Sequence, residues 1–337
     1  IVPGAVSIML QMCSWSANIV NFRSKHRGKV VGILSLCAML GISLFSTIYE
    51  QLFAPTKNVA GFWLILAIVN FLISLVGAIL LRDYSHLVEE NKDGKVKTEY
   101  QDIDNKIKEE CKDKNSNIQL RDMTGLALLK EFDFQCLCWS FVLCISVQSV
   151  YIFNVVVILQ SYGKESLTQI FLILGPLLSG VTRVTAGSIS DIFIERIPRT
   201  FFIASTTWIQ ALMLLLSCFY GNFSTILLLN ACILNICGGV YVSVFLVFLS
   251  ELFGEKYFSV NLGRLITIEG AFAGLLTILT GYLYDRNVKE QQLRCNGNSC
   301  FFSSFMVYAI LSLIAAVLMS VMTKREWDWR SNGTKFA

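Results

Sequence analysis

Charge is scarce in this sequence. Of its 337 residues, 15% are Asp, Glu, Lys or Arg, against 54% that are hydrophobic. A soluble domain usually carries about 25% charge, so the chain lacks the polar surface that a water-soluble globule needs. Histidine is nearly absent, with only His26 and His86. The chain also lacks a phosphate-binding Gly-rich loop, a metal-ligand cluster and a hydrolase-like triad. These gaps argue against an enzyme, a zinc protein or a nucleic-acid binder, and no cofactor is expected.

What is present is hydrophobic and gathered into runs: 2–21, 30–53, 60–81, 133–160, 167–190, 200–219, 223–250, 262–284 and 301–323. Each is long enough, at about 1.5 Å per residue, to cross a bilayer core of about 30 Å or nearly so. Inside lipid the backbone must satisfy its own hydrogen bonds, so the runs are expected as helices. The class is an all-α, integral multi-pass membrane protein, of the plasma membrane or an organelle membrane, with the lipid bilayer as its standing partner.

The net charge of +4 says less than its sidedness. Arg23, Lys25, Arg27 and Lys29 crowd the first loop, Arg196 and Arg199 the 190–200 loop, and Lys256 and Arg264 the 251–264 loop. Lys324, Arg325, Arg330 and Lys335 fill the tail, while "YGNFST" has no basic residue. The loop at 285–300, with Arg286, Lys289 and Arg294, is the exception. Basic loops mark the cytoplasmic face, so the first loop and the tail are expected inside. The start "IVPGAV" has no Met and no signal-peptide pattern, and reads as a fragment of a longer chain.

Three runs precede a polar stretch in which charges of both signs nearly balance, and six follow it. The expected division is 1–82, a helical group; 83–130, a charged cytoplasmic linker; 131–323, a six-helix bundle; and 324–337, a cytoplasmic tail. The mixed-charge linker reads as a solvated segment, with partner binding as the alternative.

Several stretches carry a family resemblance. "NFRSKHRGKVVGILSLCAMLGISLFSTIY" (21–49), "EFDFQCLCWSFVLCISVQSVYIFNVVVILQSYG" (131–163) and "GGVYVSVFLVFLSELFGEKYFSVN" (238–261) do so, as do "GYLYD" (281–285) and "CNGNSCF" (295–301). In order and spacing they resemble the nodulin-like proteins of the major facilitator superfamily, relatives of monocarboxylate and oxalate/formate carriers. The resemblance implies a major facilitator fold with nine of twelve spans present, spans 4–6 and 7–12, the first three being missing. It also implies secondary-active transport of a small-molecule substrate. Departures are clear: Ser35-Leu36 replaces the family's usual Lys-Gly, and "CISVQSVY" replaces its Gly-rich middle of span seven.

Arg183 is the leading candidate residue. It lies in "IFLILGPLLSGVTRVTAGSIS", eight residues before Asp191, and so about 12 Å above the inner boundary. A charge at such depth costs about 2.5–3.5 kcal/mol even on the mild insertion scale. It is expected to face a cavity and bind an anionic, carboxylate-bearing substrate with its planar fork. The spacing of Arg183 and Gly187 resembles the eighth span of monocarboxylate carriers, where the arginine holds the carboxylate. The alternative is a structural arginine locked to a fixed acid.

Glu269, five residues beyond Arg264, is the second intramembrane charge and the candidate for proton coupling; a fixed partner to Arg183 or Arg264 is its alternative. Gln148, Tyr151 and Asn154 sit mid-span and are candidates for lining the substrate path or bonding between helices. Asp191, Arg196 and Arg27 are the candidate cytoplasmic gate, where ion pairs clamp helix ends. Glu50 is expected near the outer face.

Cys295 and Cys300 fall in the expected outer loop, where a disulfide is expected, and most other cysteines lie in apolar runs as small apolar side chains. Asn222 and Asn332 fit the glycosylation pattern but are expected unmodified. Two functions from different classes follow: a transporter of a carboxylate solute, or a transporter-like sensor that binds ligand without turnover.

Overall fold

The computed structural model describes residues 24–53, 55–56, 58–80, 125, 128, 130–194, 196–221, 223–254, 257–288 and 295–331. The apolar run at 2–21, most of the charged linker, Asn222 and Asn332 lie outside these residues, as does the side chain of Arg27. Eight α-helices account for nearly all the rest: α1 (Ser24–Ile48), α2 (Val59–Leu80), α3 (Phe132–Ser161), α4 (Thr168–Phe193), α5 (Arg199–Tyr220), α6 (Ser224–Phe253), α7 (Phe258–Arg286) and α8 (Ser299–Ser331). All eight are long and apolar enough to cross a membrane. Among the described residues there is no strand, as expected where the backbone must satisfy itself.

The chain divides into two compact units. The first holds α1 as far as Leu44 and the helices from α3 to Asp328 of α8. In it α6 packs along α4 and α5, and α7 packs along α3. The second runs from Phe45 to Gln119 and includes the tail from Trp329. A π-helical turn (Tyr49–Phe53) leads it into α2. The Phe62 ring meets Tyr49 at 5.0 Å and Phe53 at 5.5 Å, both edge-on. The Asn58 side chain accepts the Gly61 N–H at 2.9 Å, which caps α2. Beyond that turn α2 is apolar on every side and exposed, with Phe71 and Ile79 both at 67%. Such a surface suits lipid rather than water.

Sequence explains where the helices stop. Gly163 follows α3 with φ +65°. This lets Lys164 donate to the Leu159 carbonyl at 2.8 Å and Gly163 to Gln160 at 3.0 Å. That is a Schellman cap, which needs a left-handed residue and therefore favours glycine.

Without water to squeeze out, membrane helices associate through close packing, and small residues set the approach here. A Cβ on Gly239 of α6 would lie 2.5 Å from the Ser179 carbonyl oxygen of α4. A Cβ on Gly32 of α1 would lie 2.8 Å from the Val184 Cα of α4. One end of the first unit holds an apolar core that includes Val147, Leu159, Leu214, Leu234, Phe301 and Phe305. Hydroxyls within it bond to carbonyls one turn back, as Thr280 does to Leu276 at 2.7 Å.

These contacts predict that Gly239→Ala lowers the melting temperature of the detergent-purified protein, at a cost of about 1–3 kcal/mol. Gly274→Ala, where a Cβ meets nothing within 4 Å, is expected to leave it unchanged or raise it. Equal melting temperatures for the two variants would contradict the α4–α6 contact.

Candidate functional site

Arg183 lies on α4, ten residues before Phe193, and so about 15 Å from that end of the helix. It is half-buried, and its buried Nε has no hydrogen-bond partner. Among the described residues no carboxylate pairs with it. α1 covers the α4 backbone at this level, for a Cβ on Gly32 would also lie 2.9 Å from the Arg183 carbonyl oxygen. Gly180, one turn back along α4, leaves room for Leu36 and Met39 of α1. On the other side Gly175 lies under the Asn235 amide of α6. Glycines at two contact faces therefore let α4 carry a guanidinium in the middle of tightly packed neighbours.

Glu269 sits eleven residues into α7, about 16 Å from Phe258. α7 begins six residues before Arg264, so Glu269 lies deeper than its distance from Arg264 suggests. It therefore shares the depth of Arg183, each measured from the helix end expected to face the cytoplasm. Its carboxylate accepts the Ser149 hydroxyl at 3.4 Å, and its backbone carbonyl accepts Ser146 at 3.2 Å. Arg183 and Glu269 are not paired with each other, and each is half-buried. Among the described residues the site thus has a cation with no fixed anion and an anion held by serine hydroxyls.

The polar residues of α3 are engaged elsewhere. Gln148 donates to the Leu234 carbonyl of α6 at 2.9 Å and occupies the space left by Gly238. Tyr151 is buried, with its ring 6.1 Å from that of Phe305. Asn154 donates to Val150 on its own helix at 2.8 Å. Gln148 and Asn154 thus take the bonding role that mid-span polar groups commonly have, while Tyr151 packs through its ring and its buried hydroxyl has no hydrogen-bond partner.

The helix ends near Asp191 carry a second constellation. Its hub is Arg199, the first residue of α5, only 2% exposed. Its guanidinium donates to Ser190 at 2.5 Å and to Asp191 at 3.0 Å, both on α4, and pairs with Glu251 of α6 at 3.0 Å. Beside it Glu326 of α8 accepts the Thr200 hydroxyl at 2.6 Å and its N–H at 3.3 Å. A carboxylate at a helix N-terminus satisfies open N–H groups and meets the positive end of the dipole. Arg325 pairs with Asp133 of α3 at 2.8 Å.

Of the expected gate residues, Asp191 pairs with Arg199, Arg196 is exposed, and the side chain of Arg27 lies outside the described residues. Arg199 directly follows Pro198, the N-cap of α5. Glu251 and Glu326 carried no comparable signal, because each becomes a partner only when α6 and α8 close around α5.

At the opposite end Cys295 and Cys300 form a disulfide, with Cα atoms 5.8 Å apart. The closed loop ties down three helices. Gly297 donates to Ser161 at 2.8 Å, and the Asn298 amide donates to the Cys218 carbonyl at 3.0 Å. Tyr162 donates to Asn298 at 2.9 Å, and Cys295 donates to the Tyr284 hydroxyl at 3.1 Å.

Removing one partner from a buried ion pair leaves the others uncompensated, at a cost of about 3–5 kcal/mol. Arg199→Gln is therefore expected to lower the melting temperature sharply, and Arg196→Gln to leave it within experimental error. A stable Arg199→Gln protein would show that the cluster adds nothing to the fold.

No curated protein matches the chain at a significant level. The family profile described as Major Facilitator Superfamily matches residues 136–336, more than half of the chain and all the helices from α4 to α8. With that match, an all-helical architecture and eight membrane-spanning helices, the chain belongs to the Major Facilitator Superfamily and is an integral multi-pass membrane protein of a transporter family.

Proposed function

We propose that the protein is a secondary-active transporter that moves a small carboxylate-bearing solute by alternating access, with Arg183 as the group that holds the carboxylate. The observation that carries this reading is the unpaired guanidinium near mid-depth of a membrane helix, with its Nε buried and unbonded. A charge held there without a fixed partner is costly. A substrate carboxylate would provide the missing acceptors in a bidentate geometry that a guanidinium fits.

Glu269 supports a further part of the reading, coupling to protons. A carboxyl held by serine hydroxyls rather than by a cation, and at the same depth as Arg183, can gain a proton without breaking an ion pair. When Glu269 is protonated its charge no longer competes with the substrate anion nearby. When it is deprotonated the guanidinium has a second anion at its level, which favours release. The nodulin-like resemblance points the same way, since monocarboxylate carriers are relatives of that group. Gln148, Tyr151 and Asn154 enter as supports of the site wall. Asp191 with Arg199 forms the clamp proposed for the cytoplasmic gate, with Arg27 and Arg196 on the same face.

Uptake into proteoliposomes tests the proposal, with full-length protein and a panel of labelled monocarboxylates, dicarboxylates and amino acids. Saturable carboxylate uptake that Arg183→Gln abolishes, with the variant still folded, is the expected result. A sensor without turnover would show no counterflow of labelled ligand, and unchanged uptake by Arg183→Gln would make the arginine structural. For Glu269→Gln, counterflow is expected to persist while stimulation by an inward proton gradient is lost. Full stimulation in that variant would place coupling elsewhere.

A further inference from the structure

A second polar group in the first unit lacks a partner close to Arg183. Ser35 of α1 is 0% exposed, and its hydroxyl makes no hydrogen bond. Mid-helix serines usually bond the carbonyl one turn back, as Ser205 does to Phe201 at 2.7 Å. A fully buried hydroxyl with no partner loses the bond it had in water, a cost of about 1–3 kcal/mol. Such a group calls for an explanation.

Register places Ser35 near the level of Arg183 on the facing helix. Gly32 abuts Arg183 and Val184, Leu36 abuts Gly180, and Ser43 donates to the Ile173 carbonyl at 3.2 Å. Later residues of α1 meet earlier residues of α4, so the two helices run antiparallel. Residues 32, 36, 39 and 43 form the stripe that faces α4, and Ser35 lies in it, three residues from Gly32. On the α4 scale Ser35 therefore sits between Gly180 and Arg183. Side chains on a helix lean toward its own N-terminus. In an antiparallel pair that tilts Ser35 toward the level of Arg183, and Arg183 toward the level of Ser35.

We propose that Ser35 is a second ligand of the substrate carboxylate: its hydroxyl donates to one oxygen while the Arg183 guanidinium donates to the anion from the facing helix. The anion then bridges α1 and α4 and satisfies two buried donors that are otherwise unmatched. No proton changes owner in this step, because the hydroxyl only donates a hydrogen bond. The inference rests on the reading of Arg183 as the carboxylate ligand, and it adds α1 to the site. Specificity follows: a neutral analogue such as an amide or ester would accept from Ser35 but would leave the guanidinium charge uncompensated.

The test uses full-length protein in proteoliposomes with labelled acetate, lactate and pyruvate, comparing Ser35→Ala, Ser35→Cys and Arg183→Gln. A hydrogen bond to a charged group is among the stronger ones. Ser35→Ala is therefore expected to raise KM about tenfold for the carried monocarboxylate, with kcat within about twofold. It is also expected to shrink the melting-temperature rise that the same carboxylate gives the purified protein. Ser35→Cys keeps the volume and removes the hydroxyl, so it is expected to behave alike and decides the matter if Ser35→Ala folds poorly. If Arg183→Gln abolishes uptake while both Ser35 variants keep the wild-type KM, this inference alone is overturned. A fall in kcat at constant KM would also overturn it, since that marks a packing role. If neither the three acids nor any other carboxylate of the panel is carried, or Arg183→Gln carries the substrate normally, the reading of Arg183 falls and this inference with it.

Discussion

A bilayer offers no water to complete a hydrogen bond, and the structure is organised around that shortage. Backbone groups find partners inside each helix, which is why the described spans are helical. Side-chain hydroxyls follow the same rule and bond back to carbonyls of their own helix, as Thr277 and Ser320 do at 2.8 Å. Gln210 shows how far the rule reaches. It is fully buried, yet its amide donates to the Cys144 carbonyl and to Ser312, both at 3.1 Å, and accepts from the Cys144 thiol. Against this background Arg183 and Ser35 are among the buried donors without acceptors, with Tyr151, Asn230 and Ser304, and they are the two on the facing helices α4 and α1.

The two ends of the first unit meet the shortage with different chemistry. At the Arg199 end the helices are joined by charge: one guanidinium reaches two helices, and one carboxylate caps a third helix. Ion pairs in such a place can be broken and remade as helix ends part, because each partner can be hydrated once exposed. At the other end the join is covalent and amide-based. The Cys295–Cys300 loop holds α3 and α5 through Gly297 and Asn298. Between the ends the contacts are apolar and tight, with glycines setting the distance. The unit is thus joined covalently and by amides at one end and by ion pairs at the other.

How much of this could be read from sequence depends on the range of the interaction involved. Apolar runs marked the spans because burial in lipid acts on every residue of a run, so the signal adds along the chain. Arg183 stood out for the same reason, as one charge within an otherwise apolar stretch. Cys295 and Cys300 stood out through local spacing. Arg199 was visible as a basic residue but not as the partner of Asp191, because that choice depends on how α5 enters the bundle. Ser35 was visible only as a departure from a family motif: a serine is ordinary in a membrane helix, and its lack of a hydrogen-bond partner appears only in the fold.

Sequence alone therefore determined the class of the protein, the position of its helices and the presence of two charges at membrane depth, since each follows from the local cost of placing groups in lipid. Tertiary structure decided which polar groups are already satisfied. Gln148, Tyr151 and Asn154 were candidates beside Arg183 as mid-span polar residues, and the fold gave the first a carbonyl, the second a tilted ring neighbour and the third its own helix. A hydrogen bond between helices depends on register and approach, which no single segment encodes. The unsatisfied donors that mark the candidate site emerged only when α1 and α4 were set against each other.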